Sequence, residues 1–504
     1  MDTKTSKQTL TDVQLLLLLA AARLLFHVLT NNQYGFHRDA LAFLDNGQHL
    51  AWGYVAYPPL TPFVGRVGLE LFGLSLVGIK SLAALAQCVA MVFAGLMAKE
   101  LGGGRGAQLV TAVAAGISLM SLLMSTLFQY ISFDYLWWVL AMYAFIRLLN
   151  SNNPRWWLVL GAAFGLGMMT KYTMVFLITA VVLTVLFFPQ LRAHLKSPWL
   201  WGGVGLSLLI FLPNLIWQVQ NNLVSLEFLT AIRARDVALG RTEGYLAQQL
   251  YVNLNPITVP LFGLGLYFYL GSGNGRFRPV VWIYFITLAL FGLSQGRFYY
   301  LAPAYPMLLA GGAVAGERWL AGQPAKRQQR WSWITAGLLA VGAAMGVALA
   351  LPVAPINSAW WDVTSDIHDN FVEQIGWQEM AENVATIYAQ QAPHYAKLGI
   401  LAGNYGEAAA LNLYGADYGL PTAVSPVNSF WDRGYGTPAP DAVIVLGFSE
   451  SFLREYFGQC TVVGQNSNSF GVANEESEFS PDIFLCEDLL EPWEQLWPKL
   501  RSFG

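Results

Sequence analysis

Residues 35–62 read GFHRDALAFLDNGQHLAWGYVAYPPLTP, directly after the apolar run LLLLLAAARLLFHVL at 15–29. The stretch holds Arg38, His37, His49, the carboxylates of Asp39 and Asp45, the aromatics Trp52, Tyr54 and Tyr57, and a Pro-Pro pair. So polar a segment set against an apolar helix is what a membrane helix gives where it empties into an outer loop. The rest of the chain agrees. It is 55% hydrophobic and 12% charged, with a mean hydropathy of +0.44. Soluble chains carry about 25% charged residues. The composition therefore predicts a polytopic membrane protein and gives no footing for nucleic-acid binding.

Apolar runs fall at about 14–30, 76–98, 107–124, 133–149, 156–170, 172–188, 199–217, 250–270, 279–295, 298–315 and 331–350, which makes eleven expected spans. The start, MDTKTSKQTLTDVQ, has no small-residue cleavage signature, so the first run reads as a retained helix. Alternate short loops are rich in Lys and Arg: Lys4, Lys7, Lys99, Arg105, Arg147, Arg155, Arg192, Lys196, Arg276, Arg278, Arg318, Lys326, Arg327 and Arg330. That set is expected in the cytoplasm, which puts the N-terminus inside. The first loop (about 31–75), the 218–248 loop and everything after residue 351 are then outside. Charge divides the chain at the same point. Residues 1–351 carry 23 basic and 11 acidic residues, a net of +12, whereas 352–504 carry 5 and 20, a net of −15. Two domains are expected: a transmembrane domain, 1–351, and an extracytoplasmic α/β domain, 352–504. In the latter FVEQIGWQEMAENVATIYAQQ reads as helix and LGILAG, DAVIVLG and DIFLC as strands. GNYGEAAALNLYG suits a strand-to-helix turn but lacks GxGxxG spacing and is not read as a dinucleotide site. Cys460 and Cys486 could pair outside the cytoplasm or stay free thiols, and Cys88 reads as a small core residue. No His/Cys cluster has metal-site spacing, and neither a metal nor a cofactor is expected.

A charge near hydrocarbon is costly and is usually kept for a reason. Of the eleven carboxylates before residue 352, those near the expected outer face are Asp39, Asp45, Glu70, Asp134, Glu227, Asp236 and Glu243. Asp39 opens the helix-like ALAFLDNGQHLAWG. It fits a helix N-cap or a general base, and one residue can do both. Asp45 lies six residues on, about 240° around a helix, so the two do not share a face. Asp45 and His49 are four apart, and the pair reads first as a solvated helix face. AYPPLTP is stiff and extended; with its aromatics it suits a segment lying along the bilayer, or simply an interfacial belt. Asp134, Lys171 and Arg297 sit at outer ends of runs, and Arg23 and His27 lie inside the first. Each could be structural, but their convergence on one face of a charge-poor protein favours a site.

These stretches resemble the membrane glycosyltransferases of the dolichyl-phosphate-mannose protein mannosyltransferase type, which include the bacterial lipid A aminoarabinose transferases (glycosyltransferase family 39, GT-C fold). The resemblance is carried by YGFHRDALAFLDNGQHLAWGYVAYPPLTPFVGR, FDYLWWVLAMYAFIRLL, GAAFGLGMMTKYTMVFL, FYYLAPAYPMLLAGGAV, GWQEMAENV and LAGNYGEAAALNLYG. It implies a GT-C-like fold in a bacterial inner membrane, and sugar transfer from a polyprenyl-phosphate donor to an acceptor hydroxyl with inversion. The family's catalytic base falls on Asp39, with Asp45 and Asp134 as candidate supporting acids. Arg297, Lys171, Arg233 and Arg235 are the candidate phosphate-binding cations, and His37, Tyr57, Tyr299 and Tyr300 the candidate groove. The chain departs from the family at two positions where relatives carry acids, here Ala40 and Ala56. The sugar stays open, as does the acceptor, whether protein, lipid or glycan. Two other classes stay open with them: a catalytically silent membrane subunit of a larger complex, and a lipid transporter. The transporter reading lacks paired, Gly/Pro-broken helices in matching halves.

Overall fold

In a computed structural model, which describes residues 10–504, six helices are long and apolar enough to cross a bilayer. They are Asp12–Thr30, Leu76–Glu100, Tyr130–Ser151, Pro198–Gln220, Gly273–Leu293 and Ala325–Ala350. The other five apolar runs are shorter or broken helices. The run at 107–124 divides into Arg105–Gly116 and Leu119–Met124. Trp156–Met168 and Met174–Phe187 are separated by a turn that carries Lys171, and the second bends by 101° into Pro189–Lys196. Pro256 opens a 3₁₀ turn ahead of Val259–Leu270. Pro303 lies in the 3₁₀ segment Phe298–Ala304 that precedes Tyr305–Ala321. Proline lacks the N–H an α-helix needs and crowds the preceding turn, so most of these breaks are written in the sequence.

Basic residues from four of the basic loops meet at one end of the bundle. Arg105 bonds Asp12 at 2.7 Å, Arg147 bonds Glu100 at 2.6 Å, and Arg276 and Arg318 reach Asn150 and the Leu101 carbonyl. Lys4 and Lys7 lie outside the described residues. Within the bundle, helices Val259–Leu270 and Tyr305–Ala321 meet backbone to backbone. A Cβ on Gly312 would strike the Leu261 carbonyl, and one on Gly265 the Leu308 carbonyl. Small residues let membrane helices approach this closely. Gly312→Val is therefore expected to destabilise the bundle by about 1–3 kcal/mol, read as a lower unfolding temperature in detergent. Gly263→Ala, on the facing helix Val259–Leu270 with open space around its Cβ position, should change little.

Beyond the helices lies a four-stranded sheet: β1 (Leu398–Ala402), β2 (Ala442–Leu446), β3 (Phe457–Gln465) and β4 (Asp482–Leu489). The order is β1-β2-β4-β3, with β1 and β2 parallel and the other pairs antiparallel. LGILAG, DAVIVLG and DIFLC form β1, β2 and β4. Edge strand β3 was not anticipated; it is largely exposed and polar, with glycines at 458 and 464. Cys460 faces Cys486 across β3 and β4, and the two are joined as a disulfide. Alternate strand residues face opposite ways. Ile400, Ile444 and Leu485 pack with helices Trp377–Gln391 and Tyr405–Tyr414 and with Phe36, Leu41 and Phe43 of the first loop. Leu401, Val443, Val445 and Phe484 pack under Trp493, Leu496 and Trp497. The first loop thus shares an apolar cluster with the C-terminal sheet. Of FVEQIGWQEMAENVATIYAQQ, only Trp377–Gln391 is α-helix. Gly376, at φ +93°, turns the chain after a short 3₁₀ turn at Val372–Gln374.

Candidate functional site

The first loop builds helix Arg38–Gln48, and its cap differs from the expected one. His37, not Asp39, is the N-cap: its Nδ1 accepts the Asp39 N–H at 3.1 Å. Burial holds the His37 imidazole below its ordinary range, which keeps it neutral and able to accept. The cap falls two residues earlier than expected, so Asp39 sits in the first turn of the helix with its carboxylate free for other partners. Tyr405 donates to Oδ1 at 2.7 Å and Gln129 Nε2 donates to Oδ2 at 3.0 Å. The side chain keeps 36% exposure. Tyr405 comes from the C-terminal region. Asn404 caps its helix by accepting from Gly406 and Glu407, and Glu407 returns a bond to the Asn404 N–H. This is the capping box that NYGE encodes. Burial, followed by the Asp39 charge, pushes the Tyr405 hydroxyl well above the ordinary tyrosine range, so it stays a donor.

Around this pair stand the cations. Lys171 lies in the turn between two short helices, steadied by Trp137, which donates to neighbouring Thr170 at 3.0 Å. Its Nζ is 3.7 Å from the centre of the Tyr300 ring, 5.0 Å from Tyr130 and 5.9 Å from Tyr299. It has no hydrogen-bond partner among the described residues; the negative charge that acts on it is that of buried Asp134. Cation–π contact of this kind stabilises a desolvated ammonium and leaves its N–H groups unspent. Arg297 is held by Asp236 through two bonds of 2.7 Å and reaches the Tyr299 hydroxyl at 3.4 Å. Arg235 is half-buried, lies within electrostatic reach of Tyr405, Asp236 and Arg297, and leaves Nε unpaired. Arg233 instead points to Gln295 at 2.8 Å on an exposed surface.

Asp45 does not join this group. It is fully buried and paired with Arg433, whose Nη2 also donates to Asn46 at 2.6 Å. The solvated Asp45–His49 face expected from sequence is corrected. His49 Nδ1 is 4.0 Å from the carboxylate and bonds the Asp45 carbonyl, and the ion-pair partner comes from 388 residues away. Asp134 is buried on the Lys171 side, so neither acid stands beside Asp39. The two departures are filled with methyl groups: Ala40 is 1% exposed within the loop–sheet cluster, and Ala56 packs near Trp217 and Ile232. Tyr57 stacks at 4.3 Å on Phe43 and accepts from Asn46 at 2.6 Å. Tyr54 is buried, and only Trp52 of the aromatic trio is strongly exposed. Sequence reading missed Gln129, Tyr130, Asp236 as the Arg297 clamp, and Tyr405. The available signals were the position of Gln129 before the FD stretch and the capping box ahead of Tyr405.

Residues 56–217 match the sequence profile of the dolichyl-phosphate-mannose-protein mannosyltransferase family. The lipid A galacturonosyltransferase RgtD of Rhizobium johnstonii is 27% identical over 192 residues, 36% of this chain and 39% of that protein. The chain thus matches about two fifths of that relative's length. ArnT from Cupriavidus metallidurans superposes with a TM-score of 0.56 bound to undecaprenyl phosphate and 0.57 in the apo state. Those matches are 14% and 15% identical, and both cover 94% of this chain and 97% of that one. The chain is similar to the membrane glycosyltransferases of the protein-mannosyltransferase type. It shares their GT-C fold and carries transmembrane helices. The mycobacterial arabinofuranosyltransferase AftD has the same fold at 14% identity and a TM-score of 0.54; the match covers 95% of this chain and 40% of that one.

Proposed function

We propose that the protein transfers a sugar from a polyprenyl-phosphate donor to an acceptor hydroxyl, with Asp39 as general base and inversion at the anomeric carbon. The observation that carries this reading is Asp39 itself. It is a part-exposed carboxylate oriented by two donors and within electrostatic reach of Tyr130 and Tyr299, the tyrosines that flank Lys171 and Arg297. The acceptor O–H gives its proton to Asp39 while its oxygen attacks C1 from the face opposite the phosphate. The C1–O bond breaks and its electron pair leaves with the lipid phosphate. Cations aimed at that developing charge lower the barrier. Lys171, with its donors unspent, and Arg235 are the best placed, and Arg297 is braced by Asp236. In this reading the exposed Arg233, turned to Gln295, has no part, the Asp39 face is extracytoplasmic, and residues 352–504 form a domain that covers it. The undecaprenyl phosphate named with ArnT supports a polyprenyl phosphate as the donor's carrier. Purified protein supplied with radiolabelled polyprenyl-phosphate sugars and membrane lipids tests it. Label should pass to an acceptor, and Lys171→Ala should lower the rate by about 10²–10³-fold, the range for losing one charge-stabilising donor. A failure to turn over any donor would favour a silent subunit, the reading that the methyl groups at Ala40 and Ala56 support.

A further inference from the structure

Beside the Asp39 site, where the first loop meets the C-terminal region, three carboxylates converge from distant parts of the chain. Glu373 lies in the 3₁₀ turn Val372–Gln374, and Glu475 and Glu476 lie just after the capping Asn474. One oxygen from each lies within 4.8 Å of the others. Glu373 is 4% exposed and Glu476 3%. Among the described residues the cation that meets all three is Arg38, which contacts Glu475 and stands 3.7 Å from Glu373 and 3.9 Å from Glu476. Second, Glu373 Oε2 and Glu476 Oε2 are buried and accept no hydrogen bond among the described residues. A buried carboxylate normally has its lone pairs filled. Three negative charges against one guanidinium leave two uncompensated, and Glu407 and Asp369 add to the negative field.

We propose that Glu373, Glu475 and Glu476 bind one hard divalent cation of the calcium class, which clamps the first loop to the C-terminal region. Two positive charges bring the cluster and Arg38 to neutrality. All three ligands are oxygens, which selects a hard ion over a thiophilic one. The spread of the oxygens suits ligand distances of about 2.3–2.6 Å on a shared centre. The clamp is placed to matter. Arg38 directly precedes Asp39, and Asn404, whose Nδ2 is 3.5 Å from Glu476 Oε1, directly precedes Tyr405. The ion would therefore hold together the two segments that meet at the Asp39–Tyr405 hydrogen bond.

The test uses full-length purified protein, stripped with EDTA and titrated with CaCl₂ or MgCl₂ while unfolding temperature and bound metal are measured. Ca²⁺ is expected to raise the unfolding temperature by on the order of 5 °C and to bind at one equivalent. Glu476→Gln should abolish both. Where that variant does not fold, Glu475→Gln, at the half-exposed ligand, should weaken Ca²⁺ about tenfold or more. The proposal is overturned if neither ion binds or shifts the wild-type transition, or if the shift persists undiminished in these variants. Because the readouts are stability and metal content, they do not depend on sugar transfer.

Discussion

Asp39→Asn is expected to lower sugar transfer by about 10²–10⁴-fold, the range for a positioned general base, while the protein keeps its fold. The amide matches the carboxylate in size and can still accept from Tyr405 at Oδ1, so the effect isolates proton abstraction from packing. Tyr405→Phe should cost less, about 10–100-fold, because it removes one hydrogen bond to a charged group worth about 1.5–3 kcal/mol. If Tyr405 orients the base and does not bind donor, the loss should fall on kcat with the donor KM unchanged. A fall in apparent donor affinity alone would instead make Tyr405 a binding residue. Steady-state kinetics with a labelled donor separates these outcomes. Full turnover by Asp39→Asn would remove it as the base and return the stretch to a structural role.

How much of this was legible beforehand follows from the range of each interaction. The apolar runs are local patterns, and six of them became full-length helices, one of which, Pro198–Gln220, runs on through Pro213. The tail's buried strands carry uninterrupted apolar runs and were visible. Edge strand β3, FGQCTVVGQ, buries too little to leave such a signal. Asp39 was visible as a carboxylate beside hydrocarbon. Its orienting partners were not, because Tyr405 is 366 residues away and Gln129 is 90. The cap was misplaced because His at that position is less usual than Asp, and the difference of two residues decides whether the carboxylate is spent on backbone N–H groups or left for chemistry. Glu373 and Glu475 stand 102 residues apart, so no spacing rule could join them. Asp45 looked like a surface residue because its partner, Arg433, is visible only in three dimensions.

That buried pair gives the largest expected effect on stability. Asp45 is fully buried, its Oδ1 accepts no hydrogen bond among the described residues, and Arg433 supplies the charge that offsets it. Arg433 also stacks 4.3 Å over Phe430 and extends through Asn46 to Tyr57. Arg433→Ala therefore strands a carboxylate away from water and should destabilise the protein by about 3–5 kcal/mol. The damage should localise to the seam between the first loop and the C-terminal region, with earlier protease cleavage there and a lower unfolding temperature. Desolvation, not attraction, is the source of the cost, so neutralising both partners should recover much of it: Asp45→Asn with Arg433→Gln should be more stable than Arg433→Ala alone. The contrast is the Arg66–Glu70 pair at 2.7 Å, whose side chains are 42% and 61% exposed. Water screens it, and Arg66→Ala should cost no more than about 1 kcal/mol. Equal losses from Arg433→Ala and Arg66→Ala would mean that Asp45 reaches solvent or takes up a proton, and that the seam is held by its apolar cluster alone.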